Sequence, residues 1–395
     1  MKKISIHKII AMLTILFPIT TVLQGLAVFE NINRVMMFFL IIILALNILL
    51  GKMDINDAFV ITLTIVLYTF AFIYTKNSTS INSKFYYVVW ILYFLYLKKS
   101  HEKLMFEYGK LSKAIRRALI IWNIVVMVSM FFSTSYRNGF FSPFACGEHR
   151  FGSCCLIITA FSYMLVINTR KRINFIYCIV PILGICMCGA RTYLAVYVIF
   201  FLCLFYLNTK KKMHFYLLLI PMLVCIFLLI KVSPVGGKIV DTYSEGHSGF
   251  LATVTSGRSK FWVYDIQAFL NLSFMQQFVG NGFDFVYNVN LATVNKAFWA
   301  HNDFINILMN FGYIGLVLYF YVLFKYSNAL IKKQKMKRIQ RYSFYAIWLF
   351  NAFFNMVYTY TIATLAMPFI LFALGNDYFI LKKKWSEMEH ENLEN

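Results

Sequence analysis

The chain has 395 residues, of which 60% are hydrophobic and only 14% are charged. This composition excludes an ordinary soluble domain, because too few polar side chains remain to cover its surface. The net charge of +22 does not indicate nucleic-acid binding, since the basic residues lie between apolar runs and are not gathered on one module. We therefore predict an all-α integral membrane protein with no nucleic-acid partner.

Apolar runs long enough to cross about 30 Å of hydrocarbon recur along nearly the whole chain, and they predict about twelve transmembrane helices. Residues 1–230 hold spans 1 to 9 and an outer loop at 134–152, residues 231–300 form a large outer loop, residues 301–381 hold spans 10 to 12, and residues 382–395 form a cytoplasmic tail. The predicted spans are 9–29, 35–50, 57–74, 83–97, 118–133, 153–168, 174–189, 192–208, 214–230, 301–324, 342–360 and 362–381.

Basic residues concentrate in alternate connections between the predicted spans. Most of the 38 Lys and Arg residues fall on the cytoplasmic side if the N-terminus is cytoplasmic, and positively charged loops are retained on that side. The basic segment KKKW after the last span belongs on the same side, which favours an even number of spans. We expect both termini in the cytoplasm.

The outer loop at 231–300 is too long to be structureless in a compact protein, so we expect it to fold. Within it, SGRSKFWVYDIQAFLNL predicts an amphipathic helix with Ser256 as its N-cap. Four large apolar side chains of this helix are available to contact the membrane surface or the helix bundle: Phe261, Trp262, Ile266 and Phe269.

The eight cysteines lie mostly inside apolar runs, with no His or Cys at metal-ligand spacing, and we interpret them as small buried hydrophobes. A disulfide among Cys146, Cys154 and Cys155 is left open. The chain has no P-loop and no dinucleotide-binding fingerprint, which argues against nucleotide-driven transport. We predict neither a metal nor another cofactor.

Charged residues are nearly absent from the middles of the predicted spans, where an ion-coupled transporter would keep its relay groups. The exceptions lie at the outer ends of spans. Arg191 lies in the tight turn CGARTY, and His301 and Asp303 open the tenth span in WAHNDFINIL. Arg258 lies near the start of the amphipathic helix, so all four side chains are expected at one membrane surface.

These residue types suit the transfer of a sugar from an isoprenoid diphosphate. Negative charge builds on the departing diphosphate, and Arg guanidinium groups match phosphate oxygens in a bidentate way. Arg258 beside a helix N-terminus adds the helix dipole. His301 has the pKa range of a general base for the attacking hydroxyl. The sequence therefore predicts a glycosyl-transfer site that works without a metal.

The order of GARTYLAVY, a large outer loop, SGRSKFW, VGNGFDF and HNDFINILMNFGYIGL resembles the O-antigen polymerase and ligase superfamily of bacterial envelope glycosyltransferases. The resemblance covers about the last half of the chain by motif. Its most specific part comprises His301, Asn302, Gly312 and Gly315, although small residues such as these glycines also serve close helix packing.

The earlier segment YRNGFFSPFACGEHRFG is similar to an outer-loop segment of the same family. That segment usually begins Arg-x-x-Gly and ends Pro-Asn. In this chain Arg137 and Gly139 stand one residue closer together, and Pro143 is followed by Phe144.

The resemblance implies a GT-C-like, metal-independent transferase of the bacterial cytoplasmic membrane, whose donor is an undecaprenyl-diphosphate-linked glycan on the outer face. It implies that Arg191 and Arg258 bind the donor diphosphate and that His301 activates the acceptor. Flippase and chain-length regulator proteins would be its partners. The substrate-binding set that it implies comprises Asn302, Arg137, Glu148, His149, Arg150, Gly280 and Gly282.

We therefore predict a polymerase that joins undecaprenyl-diphosphate-linked repeat units into a capsular, exopolysaccharide or O-antigen polymer. A ligase that transfers the glycan to a lipid, protein or wall polymer uses the same chemistry, and the sequence does not separate the two. A flippase for the lipid-linked glycan is the alternative of another class. It predicts charged residues along a central cavity and two related halves, and the sequence shows neither.

Overall fold

The structure of the protein, a computed structural model, describes residues 5–75, 81–131, 135–136, 140–209, 211–244, 252, 255, 257–296, 298–358 and 360–375. Arg137, for which substrate binding is expected, and Ser256, the expected N-cap, lie outside these residues.

Helices dominate the described chain, with one short antiparallel ribbon of β1 (Ser135–Tyr136) and β2 (Phe140–Phe141). The first nine helices are α1 (Ile6–Val22), α2 (Ala27–Leu49), α3 (Ile55–Tyr74), α4 (Ile81–Lys110), α5 (Ser112–Phe131), α6 (Glu148–Thr169), α7 (Ile179–Met187), α8 (Arg191–Asn208) and α9 (Lys212–Val232). The next seven are α10 (Pro234–Ser244), α11 (Arg258–Leu270), α12 (Phe274–Val279), α13 (Phe285–Val294), α14 (Asp303–Lys333), α15 (Arg338–Phe354) and α16 (Thr361–Leu374). Two 3-10 helices cover Pro143–Ala145 and Arg172–Cys178.

Seven of the described helices are long and apolar enough to cross a membrane: α2, α3, α5, α6, α8, α9 and α14. Shorter apolar helices cover Ile6–Val22, Arg172–Met187, Phe285–Val294 and Ile362–Leu374. The all-α class expected of a membrane protein is thus present, while the number of twelve spans stays a prediction.

The first predicted span, 9–29, has the wrong boundary. Helix α1 ends at Val22 and α2 begins at Ala27, although the apolar run continues between them. A Cβ on Gly25 would lie 1.4 Å from the carbonyl oxygen of Phe144. The helix is interrupted here because Gly25 packs directly against the backbone of the 3-10 helix Pro143–Ala145, a contact that hydropathy does not reveal.

Helices α6 and α16 pack against each other at the centre of the bundle. Every residue of α6 from Phe151 to Ile167 is buried, and Ile362–Leu374 of α16 is buried throughout. Helices α1, α4, α5 and α8 contact these two from outside. Helix α9, in contrast, buries only Phe215 and lies at the periphery, so its apolar surface is the part best suited to lipid. All eight cysteines are free.

One end of the bundle, which we call the basic end, collects segments predicted to be cytoplasmic. The Lys98 ammonium forms ion pairs with Asp54 and, at 2.8 Å, with Asp57. The Lys99 ammonium lies 3.1 Å from the same Asp57 carboxylate. The Ser5 hydroxyl donates to Glu107 at 2.8 Å. The opposite end, where α6, α8, α11 and α14 begin, is called the site end.

The large outer loop contains a small hydrophobic core of its own. Trp262 and Phe269 of α11 pack with side chains of α13 and α14, while Ile266 is 41% exposed. The predicted amphipathic helix is therefore present and packs on the bundle. It begins at Arg258 with Gly257 as N-cap, and the Thr255 hydroxyl accepts the backbone N–H of Ser259 at 3.1 Å.

Helix α14 is kinked at Gly312, where φ is +68° and ψ is −167°. The segment that follows α12 packs into this kink: the Asn281 N–H donates to the Met309 carbonyl at 3.0 Å. A Cβ on Gly312 would lie 2.3 Å from the Phe278 carbonyl oxygen. Glycine is thus required both by the positive φ and by the close approach of two backbones.

We predict that Gly312→Ala destabilises the protein by about 2 kcal/mol or more, because a Cβ is strained at this φ and has no space. Thermal unfolding in detergent, followed by tryptophan fluorescence, should show a midpoint several degrees lower. Gly237→Ala is the control, since a Cβ there meets nothing within 4 Å. Equal midpoints for the two variants would contradict the role of Gly312.

A carboxyl group lies buried in the large outer loop. Asp265 of α11 has no exposed surface, and burial raises its pKa to about 7, an effect that the neighbouring Asn290 side chain partly offsets. An unfolded aspartate has a pKa near 3.9. Between these two values the folded chain holds a proton that the unfolded chain has lost, so stability falls as the pH rises through this window and stays low above it.

Asp265→Asn is therefore expected to stabilise the protein most at high pH, by up to about 4 kcal/mol at pH 8 and by only about 1 kcal/mol at pH 4.5. Unfolding midpoints measured across this pH range test the difference. The same substitution at Asp241, an exposed residue of α10, is the control. A gain in stability that is independent of pH would refute the assignment.

Candidate functional site

Four helices begin close together at the site end. Glu148 opens α6, Arg191 opens α8, Arg258 opens α11 and Asp303 opens α14. Each helix N-terminus carries backbone N–H groups without an intrahelical partner and the positive end of the helix dipole. The convergence makes this region favourable for negative charge before any side chain is considered.

His149, in the first turn of α6, lies at the centre of this region. Its Nδ1 accepts from the Asn355 amide nitrogen at 3.0 Å, and its Nε2 lies 3.5 Å from a Glu148 carboxylate oxygen. These contacts place the ring proton on Nε2, facing Glu148. The His149 ring centroid is 5.2 Å from that of Tyr360 and 6.0 Å from that of His301.

The guanidinium of Arg258 points from the large outer loop into the same region. Its Nη1 donates to the Phe354 carbonyl at 2.9 Å. Burial and the nearby Arg191 charge lower the pKa of Arg258, while Tyr360 and Glu148 favour its charged form. Arginine remains protonated in spite of such shifts, so the two guanidinium groups form a concentrated positive region.

Lys238 adds a third cation that the sequence analysis did not identify. From α10, its Nζ donates to the Gly189 carbonyl at 3.2 Å and lies 3.6 Å from Glu148. It also lies 4.7 Å from the Phe140 ring centroid. Lys238 therefore supports the turn that precedes Arg191. Its surroundings in the sequence, PVGGKIV, carry no motif that could have marked it.

We refer to the residues that meet here as the site cluster. It comprises Glu148, His149, Arg191, Lys238, Arg258, His301 and Tyr360. Three cations face one carboxylate, so the cluster carries an excess of positive charge. Within the described ranges, no group of three or more His, Cys, Asp or Glu residues is arranged to hold a metal ion.

The start of α14 positions His301, the second histidine of the site cluster. His301 adopts a left-handed conformation with φ of +52°, which is strained for a residue other than glycine. The Asn302 side-chain oxygen accepts the backbone N–H groups of Phe304 and Ile305 at 3.0 and 3.2 Å. Asn302, expected to bind substrate, is thus the N-cap of α14, and it is only 2% exposed.

Asp303 connects this helix start to the segment between α15 and α16. Its two carboxylate oxygens accept the backbone N–H of Val357 at 2.9 and 3.1 Å, and the carboxylate is fully buried. The segment that it holds, residues 355–360, supplies Asn355 and Tyr360 to His149. Asp303 is therefore a positioning residue of the site cluster.

The structure places the other expected substrate-binding residues elsewhere. A Cβ on Gly280 would lie 2.2 Å from the Asn310 carbonyl oxygen, and one on Gly282 would lie 2.7 Å from the Thr75 nitrogen. Both glycines pack the outer loop against α14 and the end of α3. The charge of Arg150 acts on Cys146 and Cys154, on another face of α6 than His149. None of the three contacts the site cluster in the described structure.

We predict that Asp303→Ala frees residues 355–360 from α14, because the Val357 N–H loses its acceptor. Hydrogen–deuterium exchange should then be at least about 10-fold faster at Val357. Asp303→Asn is the matched control, since an amide oxygen can still accept this N–H and should preserve most of the protection. Unchanged exchange in the alanine variant would show that the carboxylate does not hold the segment.

Comparison with models of known protein families and with curated proteins found no match to this chain.

Proposed function

We propose that the chain is a membrane glycosyltransferase that polymerises undecaprenyl-diphosphate-linked repeat units. The observation that supports this most is the site cluster itself, in which Arg191, Lys238 and Arg258 meet beside two histidines where four helices begin. A dianionic leaving group suits a site with excess positive charge and converging N–H donors.

In the proposed reaction, the acceptor sugar hydroxyl attacks the anomeric carbon of the donor glycan. The new C–O bond forms as the bond from that carbon to the diphosphate oxygen breaks, and the electron pair remains on the diphosphate. The hydroxyl proton passes to His301, and Arg191 and Arg258 stabilise the charge on the leaving diphosphate. No oxidant, reductant or metal is needed for this balance.

His301 is the preferred base of the two histidines. Both ring nitrogens of His149 already face protein groups, Asn355 and Glu148, so we assign His149 a positioning role. The strained backbone of His301 is consistent with a functional constraint at that residue.

A groove between α3 and α14 offers room for a hydrocarbon chain. It encloses about 370 Å³, and the side chains that line it include Leu63, Phe278, Ile314 and Val317. Phe278 belongs to the outer loop, so the groove begins near the site end and continues along two helices that are long enough to span a membrane. An isoprenoid chain is of the right chemistry for this surface.

We also propose that the site end faces the outside of a bacterial cytoplasmic membrane, with both termini in the cytoplasm. Lysines and arginines at the basic end agree with this orientation under the positive-inside rule. A flippase would then supply the substrate, and a chain-length regulator would be a further partner.

We predict that His301→Ala and Arg258→Ala each reduce polymer formation by about 100-fold or more, because proton removal and charge stabilisation are lost. Purified protein is given lipid-linked repeat units alone, and the products are separated by length. Release of undecaprenyl diphosphate measures bond cleavage. Lys260→Ala, an exposed residue on the same helix as Arg258, is the control.

Wild-type protein should elongate the single substrate, whereas the two site variants should leave single repeat units. A protein that releases undecaprenyl diphosphate only after another acceptor is added is a ligase. A protein that releases none with any acceptor is not a transferase, and full activity in both variants would refute the assigned site.

A further inference from the structure

A further cation at the site end lies outside the site cluster. Lys84, in the first turn of α4, is only 7% exposed. Its Nζ lies 5.6 Å from the ring centroid of Phe72 and 5.7 Å from that of Phe283. It forms no ion pair with any carboxylate of the described residues.

Two half-buried lysines of the basic end have carboxylate partners. Lys98 and Lys99 both lie beside the fully buried Asp57 carboxylate, and Asp54 adds a second partner for Lys98. Their charges are neutralised within the protein. Lys84 is less exposed than either side chain, yet among the described residues its charge faces the rings of Phe72 and Phe283 and no carboxylate within ion-pair distance.

Aromatic contacts offset only part of the cost of burying an ammonium. The stabilisation from a cation–π contact is smaller than the cost of removing an ion from water, even after the surroundings relax. An ionisable residue within a membrane protein is therefore a functional candidate, and an anion is the partner that Lys84 lacks among the described residues. Its place at the start of α4 adds the positive end of a helix dipole.

We propose that Lys84 binds the phosphate of a lipid headgroup at the site end. Phosphate matches the compact, strongly hydrated charge of a lysine. Lys84 contacts Phe72 near the end of α3, a helix that is long and apolar enough to cross a membrane, and the end of such a helix lies at headgroup depth. The charge of the ligand takes the place of the carboxylate that Lys84 does not find among the residues the structure describes.

The identity of this lipid rests on the proposed function. In polymerisation both substrates carry a diphosphate, and the site cluster holds only the one on the donor. The reacting hydroxyl of the acceptor is separated from its own diphosphate by the other sugars of the repeat unit. A second phosphate-binding cation is therefore needed away from the cluster, and Lys84 supplies it.

A continuous row of contacts joins the two positions. Tyr87, one turn after Lys84 on α4, lies 5.5 Å from the Tyr358 ring by centroid distance. Tyr358 belongs to the same segment, residues 355–360, as Tyr360, whose ring lies 5.2 Å from that of His149. Buried aromatic rings thus connect the position of Lys84 with the segment that reaches the site cluster.

Binding of farnesyl diphosphate, the probe, is measured with the full chain in nanodiscs of neutral phosphatidylcholine. All variants carry Arg258→Ala as a background substitution, which weakens the donor site. Lys84→Met, which keeps the apolar stem and removes the charge, should weaken binding by about 10-fold or more. Lys84→Arg should stay within about 3-fold of the background, and Lys260→Met, an exposed lysine, should match it. Unchanged affinity in Lys84→Met would overturn the proposal.

The stability of the protein without ligand gives a second readout that a purely structural lysine would not reproduce. Lys84→Met removes a buried charge without a partner, so its unfolding midpoint should rise while binding weakens. A lysine retained only for its contacts with Phe72 and Phe283 predicts a lower midpoint and unchanged binding, which would refute the site.

Nanodiscs with added phosphatidylglycerol separate the two sources of lipid phosphate. If phosphatidylglycerol binds at Lys84 as strongly as farnesyl diphosphate does, the occupant is an anionic phospholipid and the acceptor assignment is wrong. Weak competition supports the acceptor. Loss of binding in Lys84→Met, together with no release of undecaprenyl diphosphate by the wild-type protein with any acceptor, would refute the proposed function while the phosphate site stands.

Discussion

The structure depends on the cost of placing charge in hydrocarbon, which confines charged side chains to the ends of the helices. At the basic end, Asp57 neutralises two lysines within the protein. At the site end, the Glu148 carboxylate lies near Lys238 and Arg258, and Arg191 lies near Arg258. Among the described residues, the two ends therefore differ in how completely their charge is balanced, and the excess of positive charge at the site end favours binding of an anion there.

The site cluster is rigid because buried polar contacts connect elements that are distant in sequence. Asp303 holds residues 355–360, these residues hold His149 through Asn355, and Lys238 supports the turn before Arg191. Helix α6, buried along its length, fixes Glu148 and His149 relative to all of them. Each contact satisfies a polar group that could not be left unpaired in such an environment, so the same contacts provide both stability and positioning.

The sequence predicted the helices, and it predicted Arg191, Arg258 and His301 as neighbours, because charges at the ends of apolar runs stand out and share a membrane surface. It could not predict Lys238, Asn355 or Tyr360. Their roles arise from contacts between segments far apart in the chain, and their local sequences carry no period or motif. The sequence also predicts Gly280 and Gly282 in the substrate-binding set. Their positive φ values and close backbone contacts serve packing instead, which the local sequence does not reveal.

A positive region that is incompletely neutralised lowers the stability of the unoccupied protein, and binding of an anion would restore the balance. This relation connects the site cluster with Lys84, since both lie at the site end and both are proposed to bind phosphate. It also explains why Glu148 lies where it does. One carboxylate among three cations reduces their mutual repulsion, and it leaves enough positive charge to attract a diphosphate. A second carboxylate would neutralise the cluster and compete with the ligand.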